Sequence, residues 1–128
     1  MKKLLAILSC VLVSASYTFA GEYPDISITE MKEAIKSGKV TVLDVMGSKS
    51  YKKGHVPTAI DFKGNAKNIA ALLPKEKDAL IVAYCGGPSC KAYQAAAKAA
   101  EALGYTNVKH MSAGISGWKG AGEKTDKG

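Results

Sequence analysis

Apolar positions along this chain alternate between short unbroken runs and spaced stripes, the pattern of strands exchanging with helices. Ser27-x-x-Glu30 fits a capping box, Met31, Ala34 and Ile35 follow on one face, and Gly38 stands as a stop, which predicts a helix. Val40 to Val45 is β-rich and reads as a buried strand, and Ser48 to Lys53 as a short helical turn. A short strand is expected over Ala59 to Phe62 and a helix from Asn65 to Leu73, ended by Pro74. Ala79 to Tyr84 is apolar at every position, as in a strand covered on both faces. After Cys90 an alanine-rich segment places Ala92, Ala95, Ala96, Ala99 and Leu103 on one stripe before Gly104. Asn107 to Met111 reads as a last strand, Ile115 to Lys119 as a closing helix, and the polar stretch from Gly120 as a frayed tail.

This alternation predicts an α/β domain, a central mainly parallel sheet flanked by helices in three layers. Ligands of such sheets gather outside the carboxyl ends of the strands, where Asp44 and Cys85 both fall. At 128 residues there is room for one domain, and the amino terminus is discounted first. Lys2 and Lys3 precede the apolar run Leu4 to Val13, and Thr18-Phe19-Ala20 resembles a small-x-small cleavage site. Residues 1–20 are therefore expected to be a signal peptide, too short for a membrane span, leaving a domain over 21–119 and a flexible tail over 120–128. A lipidated Cys10 is the rival reading of the same segment.

Export, to the periplasm or beyond, places the protein in an oxidising compartment with no membrane attachment once the leader is removed. Only Cys85 and Cys90 then remain, too few for a disulfide-built scaffold, so they serve chemistry or one local bridge. All eighteen basic residues are lysines, and the formal net charge is +7. Without Lys2 and Lys3, sixteen lysines face eleven acids, a charge of +5. The lysines are scattered without interleaved aromatics, which argues against nucleic-acid binding. No second ligand pair accompanies the cysteines, and the two histidines are distant in sequence, so neither metal nor cofactor is expected.

The chemistry concentrates in Cys85-Gly86-Gly87-Pro88-Ser89-Cys90, a loop between the apolar strand and the alanine-rich helix. Glycines there allow backbone turns that aim several N–H groups inward. Those donors and a helix N-terminus favour a thiolate over a thiol, so Cys85 is the candidate nucleophile. Lys91, just past the loop, is the candidate anion-binding charge. Cys90 has three readings: a thiol that resolves Cys85 by an intraloop disulfide, a thiol that receives sulfur from it, or a small side chain filling the helix start. His55, His110 and Asp44 are read as structural, and Trp118 as an anchor for the last helix.

Five segments together resemble the single-domain rhodaneses: Leu43-Asp44-Val45, Tyr51-x-x-Gly54-His55-Val56-Pro57-x-Ala59-Ile60, Ile81-Val82-x-Tyr84-Cys85, Gly104-Tyr105-x-Asn107-Val108 and Gly114-Ile115-x-Gly117-Trp118. They occur in family order and cover nearly all of the chain after the leader. The resemblance implies a sulfurtransferase in which Cys85 takes sulfur from a small anionic donor such as thiosulfate. It carries that sulfur as a persulfide to a thiol or cyanide-like acceptor. Three positions depart from the family pattern. No basic residue lies within the loop, Pro88 stands where relatives often have glycine, and Met46 stands where they usually have arginine. With Cys90 present, a thiol–disulfide or sulfur-relay protein, with a redox protein as partner, is the alternative; a non-catalytic binding module is another. Phosphatase-like chemistry is disfavoured, because Lys91 occupies the position of the arginine that chemistry uses and cannot clamp a phosphoryl group bidentately.

Overall fold

The structure, a computed structural model, describes residues 23–128, so the expected leader and Cys10 lie outside the described residues. Four strands form one sheet in the order β2-β1-β3-β4, every pair parallel. They are β1 (Val40–Asp44), β2 (Ile60–Asp61), β3 (Leu80–Tyr84) and β4 (Asn107–His110). Six α-helices surround them: α1 (Ile28–Ser37), α2 (Ser48–Lys53), α3 (Phe62–Asn65), α4 (Ile69–Leu72), α5 (Tyr93–Ala102) and α6 (Gly114–Gly120).

Alternate side chains of the two central strands supply two separate cores. Leu43, Val45, Ile81, Ala83 and Cys85 face Phe62, Ile69, Leu73 and the α5 residues Tyr93, Ala96, Ala97 and Ala100. Val42, Val82 and Tyr84 face the other way, against Met31 of α1, Val56, and Ile115 and Trp118 of α6. Covering both faces explains why β3 is apolar throughout, and each fully buried Leu or Ile there contributes about 1.5–3 kcal/mol. The α1 capping box forms as expected, with Ser27 and Glu30 exchanging hydrogen bonds of 3.0 Å. Gly38 closes the same helix at φ +72°.

Four expectations change. Only Ile60 and Asp61 pair with β1, because Asp61 turns at once to cap α3 through its side chain. The helix expected over 65–73 is broken by Asn65 and Asn68, so that a 3₁₀ turn (Ala66–Asn68) separates α3 from α4. α5 begins at Tyr93 and buries Tyr93, Ala96, Ala97 and Ala100. Ala92 and Ala95 are exposed, and Leu103 is 36% exposed. The helix has rolled to insert the one large ring that its first turn carries. The segment after Gly120 does not trail away: Asp126 pairs its backbone with His55, and the Lys124 carbonyl accepts the Trp118 indole N–H at 2.7 Å.

Candidate active site

Cys85 follows the last residue of β3 at the carboxyl edge of the sheet and is 1% exposed. Its side chain continues the row of Ile81 and Ala83 toward α5, so the strand's own alternation aims the thiol at that core. The loop then turns sharply. Cys90 N–H donates to the Gly87 carbonyl at 3.1 Å, closing a β-turn with Pro88 at its second position. Proline suits that position, where its fixed φ is an asset and no N–H is required. The missing donor at Pro88 therefore falls where the turn would not have used it.

Helix α6 holds the loop from behind. Ile115 N–H donates to the Cys85 carbonyl at 2.9 Å, and Ser116 N–H to the Gly86 carbonyl at 3.0 Å. In a trans peptide the N–H points opposite to the C=O. Fixing these carbonyls on α6 therefore turns the Gly86 and Gly87 N–H groups away from that helix. Among the described residues, the N–H groups of Gly86, Gly87, Ser89 and Lys91 donate to no backbone carbonyl. A short loop with fixed carbonyls and unengaged donors is a nest for an anion. The donors expected from α5 lie farther along, since that helix starts only at Tyr93 and its Gln94 and Ala95 N–H groups are taken by Lys91 and Ala92.

The close approach of α6 depends on Gly114, which has φ +64°. A Cβ there would lie 2.6 Å from Gly86 C and Gly87 N and 2.7 Å from the Cys85 carbonyl oxygen. The Gly114-Ile115 pair is visible in the sequence, but its contact with the cysteine loop is not. Met46, noted in the sequence only as a departure from the family pattern, also lies near the loop: its sulfur comes within 3.8 Å of where a Gly86 Cβ would be. The position therefore packs against the loop.

Cys85 and Cys90 are joined in a disulfide, with Cα atoms 6.3 Å apart. Cys90 is partly buried against the same core as Cys85. Lys91 is exposed, beside the loop and outside it. Ser89 is exposed at the turn.

The remaining candidates go to the scaffold. Asp44 is fully buried on the opposite face of the sheet from Cys85. Its carboxylate accepts the Met46 N–H at 2.7 Å and the Tyr84 hydroxyl at 2.5 Å. That hydroxyl in turn accepts the Val56 N–H at 3.0 Å. Burial raises the Asp44 pKa, against the lowering effect of the Tyr84 and Met46 hydrogen bonds. Tyr84 is pushed strongly upward by burial and by the carboxylate, so it stays a donor. His55 stacks on Tyr51 and shares its Nδ1 with the Tyr51 carbonyl at 2.8 Å. His110 stacks on Tyr93, with a buried Nε2 that has no hydrogen-bond partner among the described residues, and burial lowers its pKa. Neither histidine is placed to ligate a metal: among the described residues no three His, Cys, Asp or Glu side chains gather.

A cleft of about 600 Å³ opens at the opposite, amino-terminal edge of the sheet, lined by Lys39, Glu76, Asp78 and Asn107 among others. It holds no cysteine or histidine, whereas the cysteine loop lies at the other end of the sheet.

A buried cysteine, bridged to Cys90 in a glycine loop at the carboxyl edge of a parallel sheet, marks the site of this α/β domain. The chain belongs to the rhodanese-like domain family, whose profile matches residues 27–121. It is 30% identical over 108 residues to the thiosulfate sulfurtransferase GlpE of Pseudoalteromonas translucida, covering 82% of this chain and 98% of that protein. It is 31% identical over 122 residues to the HTH-type transcriptional regulator Rv0324 of Mycobacterium tuberculosis, covering 94% of this chain. The chain spans only 53% of that regulator's length. Among solved structures, the BH2092 protein of Bacillus halodurans superposes with a TM-score of 0.65 at 31% identity, over 82% of this chain and 77% of that one.

Proposed function

We propose that this protein is a sulfurtransferase that carries sulfane sulfur on Cys85, from thiosulfate or a related anionic donor to a thiophilic acceptor. The observation that carries the reading is the loop itself. Cys85 heads a segment whose first two carbonyls are held by α6 and whose N–H groups at Gly86, Gly87, Ser89 and Lys91 donate to no backbone carbonyl among the described residues. In the reduced protein, the Cys85 thiolate attacks the outer sulfur of thiosulfate. The sulfur–sulfur bond of the donor breaks, sulfite leaves with the electron pair, and a persulfide anion remains on Cys85. The unengaged N–H groups favour that anion, and Lys91 adds a positive charge nearby. An acceptor nucleophile then attacks the outer sulfur and returns the Cys85 thiolate.

The disulfide favours a second reading, in which the same pair works as a thiol–disulfide couple with a redox protein. Action in the periplasm is part of the proposal. It rests on the leader-like residues 1–20 and on a disulfide that an oxidising compartment sustains. The first reading is tested by reducing the protein, removing the reductant, and following sulfite release from thiosulfate with a small thiol as acceptor. Sulfite should appear with the wild-type chain and be lost in Cys85→Ser. Equal release by both proteins would remove Cys85 from the reaction.

A further inference from the structure

Cys85 and Cys90 differ in a way that gives them different parts in one reaction. Cys85 is 1% exposed, whereas Cys90 is only partly buried. The turn bond from Cys90 N–H to the Gly87 carbonyl holds the second cysteine over the loop. The disulfide shows that the Cys90 sulfur reaches the Sγ of Cys85 itself, across a Cα separation of 6.3 Å that lies within the ordinary range.

Resting on the sulfurtransferase reading, we infer that the loop resolves its own persulfide and releases the carried sulfur as hydrosulfide. The Cys90 thiolate attacks Sγ of the Cys85 persulfide. The bond between Sγ and the terminal sulfur breaks, and the terminal sulfur leaves with the electron pair and takes up the proton that Cys90 gave. The products are the Cys85–Cys90 disulfide and hydrosulfide. The terminal sulfur is reduced to sulfide, the Cys90 sulfur is oxidised by the same amount, and no outside oxidant is needed. The loop N–H groups that donate to no backbone carbonyl among the described residues are available to the terminal sulfur as its charge develops.

The loop returns to its dithiol form by exchange with a dithiol, a small molecule or a thiol–disulfide protein, attacking the more accessible Cys90 sulfur. The acceptor of this enzyme is then a source of reducing equivalents, and its overall reaction turns sulfane sulfur into sulfide. Direct transfer to an external thiol competes with this course, in which Cys90 has the advantage of already lying beside Cys85.

The test uses reduced protein freed of reductant, under anaerobic conditions, with a single equivalent of thiosulfate and no added thiol. Sulfite, hydrosulfide and intact mass are measured together. The wild-type chain should release sulfite and hydrosulfide in equal amounts and end at the mass of the reduced chain less two hydrogens. Cys90→Ser should release sulfite, lose hydrosulfide release, and keep one added sulfur on Cys85 until a thiol is supplied. Cys90→Ala, with circular dichroism to confirm folding, should behave as Cys90→Ser. A lasting persulfide on Cys85 in the wild-type chain overturns the inference and leaves the sulfurtransferase reading standing. Sulfur mapped to Cys90 also overturns it, making Cys90 a relay. No sulfite from either protein removes the sulfurtransferase reading and this inference with it.

Discussion

The loops that leave β1 and β3 start side by side, since Asp44 and Tyr84 are register partners, yet they treat their polar groups in opposite ways. After β1, the Asp44 carboxylate takes the Met46 N–H and the Tyr84 hydroxyl, and that hydroxyl takes the Val56 N–H. Donors there are matched to acceptors within the fold. After β3, the carbonyls of Cys85 and Gly86 are taken by α6 while neighbouring N–H groups stay unengaged. One loop is closed on itself and rigidifies the edge. The other is tied to α6 through its acceptors and to itself by the Cys90 turn bond and the disulfide, while its Gly86, Gly87, Ser89 and Lys91 N–H groups donate to no backbone carbonyl among the described residues. On the proposed function, reactivity at this sheet edge follows from which half of each peptide the scaffold consumes.

The most direct way to break the contrast is to separate α6 from the cysteine loop. Gly114→Ala places a methyl group against backbone on the loop side, 2.6 Å from Gly86 C and Gly87 N, at a φ of +64°. Neither contact is with a flexible side chain, so helix or loop must shift. Left-handed strain and overpacking together should lower stability by about 3 kcal/mol. A misplacement of the loop should slow sulfite release by about a hundredfold, beyond what unfolding explains. Gly120→Ala, in the same helix with open space around it, serves as the control and should change neither. Urea unfolding and initial sulfite rates check both; a Gly114→Ala protein with wild-type rates would detach α6 from the chemistry.

Opening the closed loop should have a smaller effect, and on stability rather than on sulfur loading. Tyr84→Phe leaves the Asp44 carboxylate and the buried Val56 N–H each short of a partner, a loss of about 2 kcal/mol. Asp44 gives this loss a pH signature. Burial raises its folded pKa above the unfolded value of about 4. The protonated acid therefore contributes stability that is fully present below the unfolded value and is lost as pH rises through the folded one. The Tyr84 hydroxyl lowers the Asp44 pKa. Removing it raises that pKa further, and the gap between wild type and Tyr84→Phe should widen as pH rises from about 4 to 7. Urea midpoints across that range check it; a gap independent of pH would mean that Asp44 does not titrate with the network.

Much of this contrast could be read in the sequence, and the unread part has identifiable causes. β3 was legible because its residues are apolar on both faces, which only a covered strand tolerates, and β1 because it is rich in β-branched residues. Cys85 was legible because a glycine pair follows it at the end of such a strand. The α5 register was not, since alanines at 92, 95, 96, 97, 99, 100 and 102 mark almost every face and carry no phase. Only Tyr93 has the bulk to set it. The break at Asn65 and Asn68 was likewise hidden, because apolar spacing across 65–73 fits one helix and the two asparagines act through local backbone geometry. Ser89 and Lys91 were named in the sequence, but that their N–H groups donate to no backbone carbonyl was not legible, because no side-chain pattern reports it. The Cys85–Cys90 bridge needed the course of the loop, since a separation of five residues is compatible with sulfurs together or apart.

The finest test of the closed loop lies at its outer wall, the turn from Val56 to Ala59. Ala59 N–H donates to the Val56 carbonyl at 3.0 Å, Pro57 takes the second position, and Thr58 takes the third at φ +73°. A turn with positive φ at its third position favours glycine, and a β-branched residue there is strained. Thr58 is exposed, so replacing it disturbs no core contact. Thr58→Gly removes strain of about 1–2 kcal/mol while adding about 0.5–1 kcal/mol of unfolded-chain freedom. A net gain of about 0.5 kcal/mol is expected, read as a higher urea midpoint with an unchanged slope. The strain persists because Val56 is held at one end of the turn by the Tyr84 hydroxyl. In a Tyr84→Phe background that hold is gone and the turn can relax with threonine in place. The gain from Thr58→Gly should therefore shrink, and a double-mutant cycle that closed to zero would show that the turn and the Asp44–Tyr84 pair are independent.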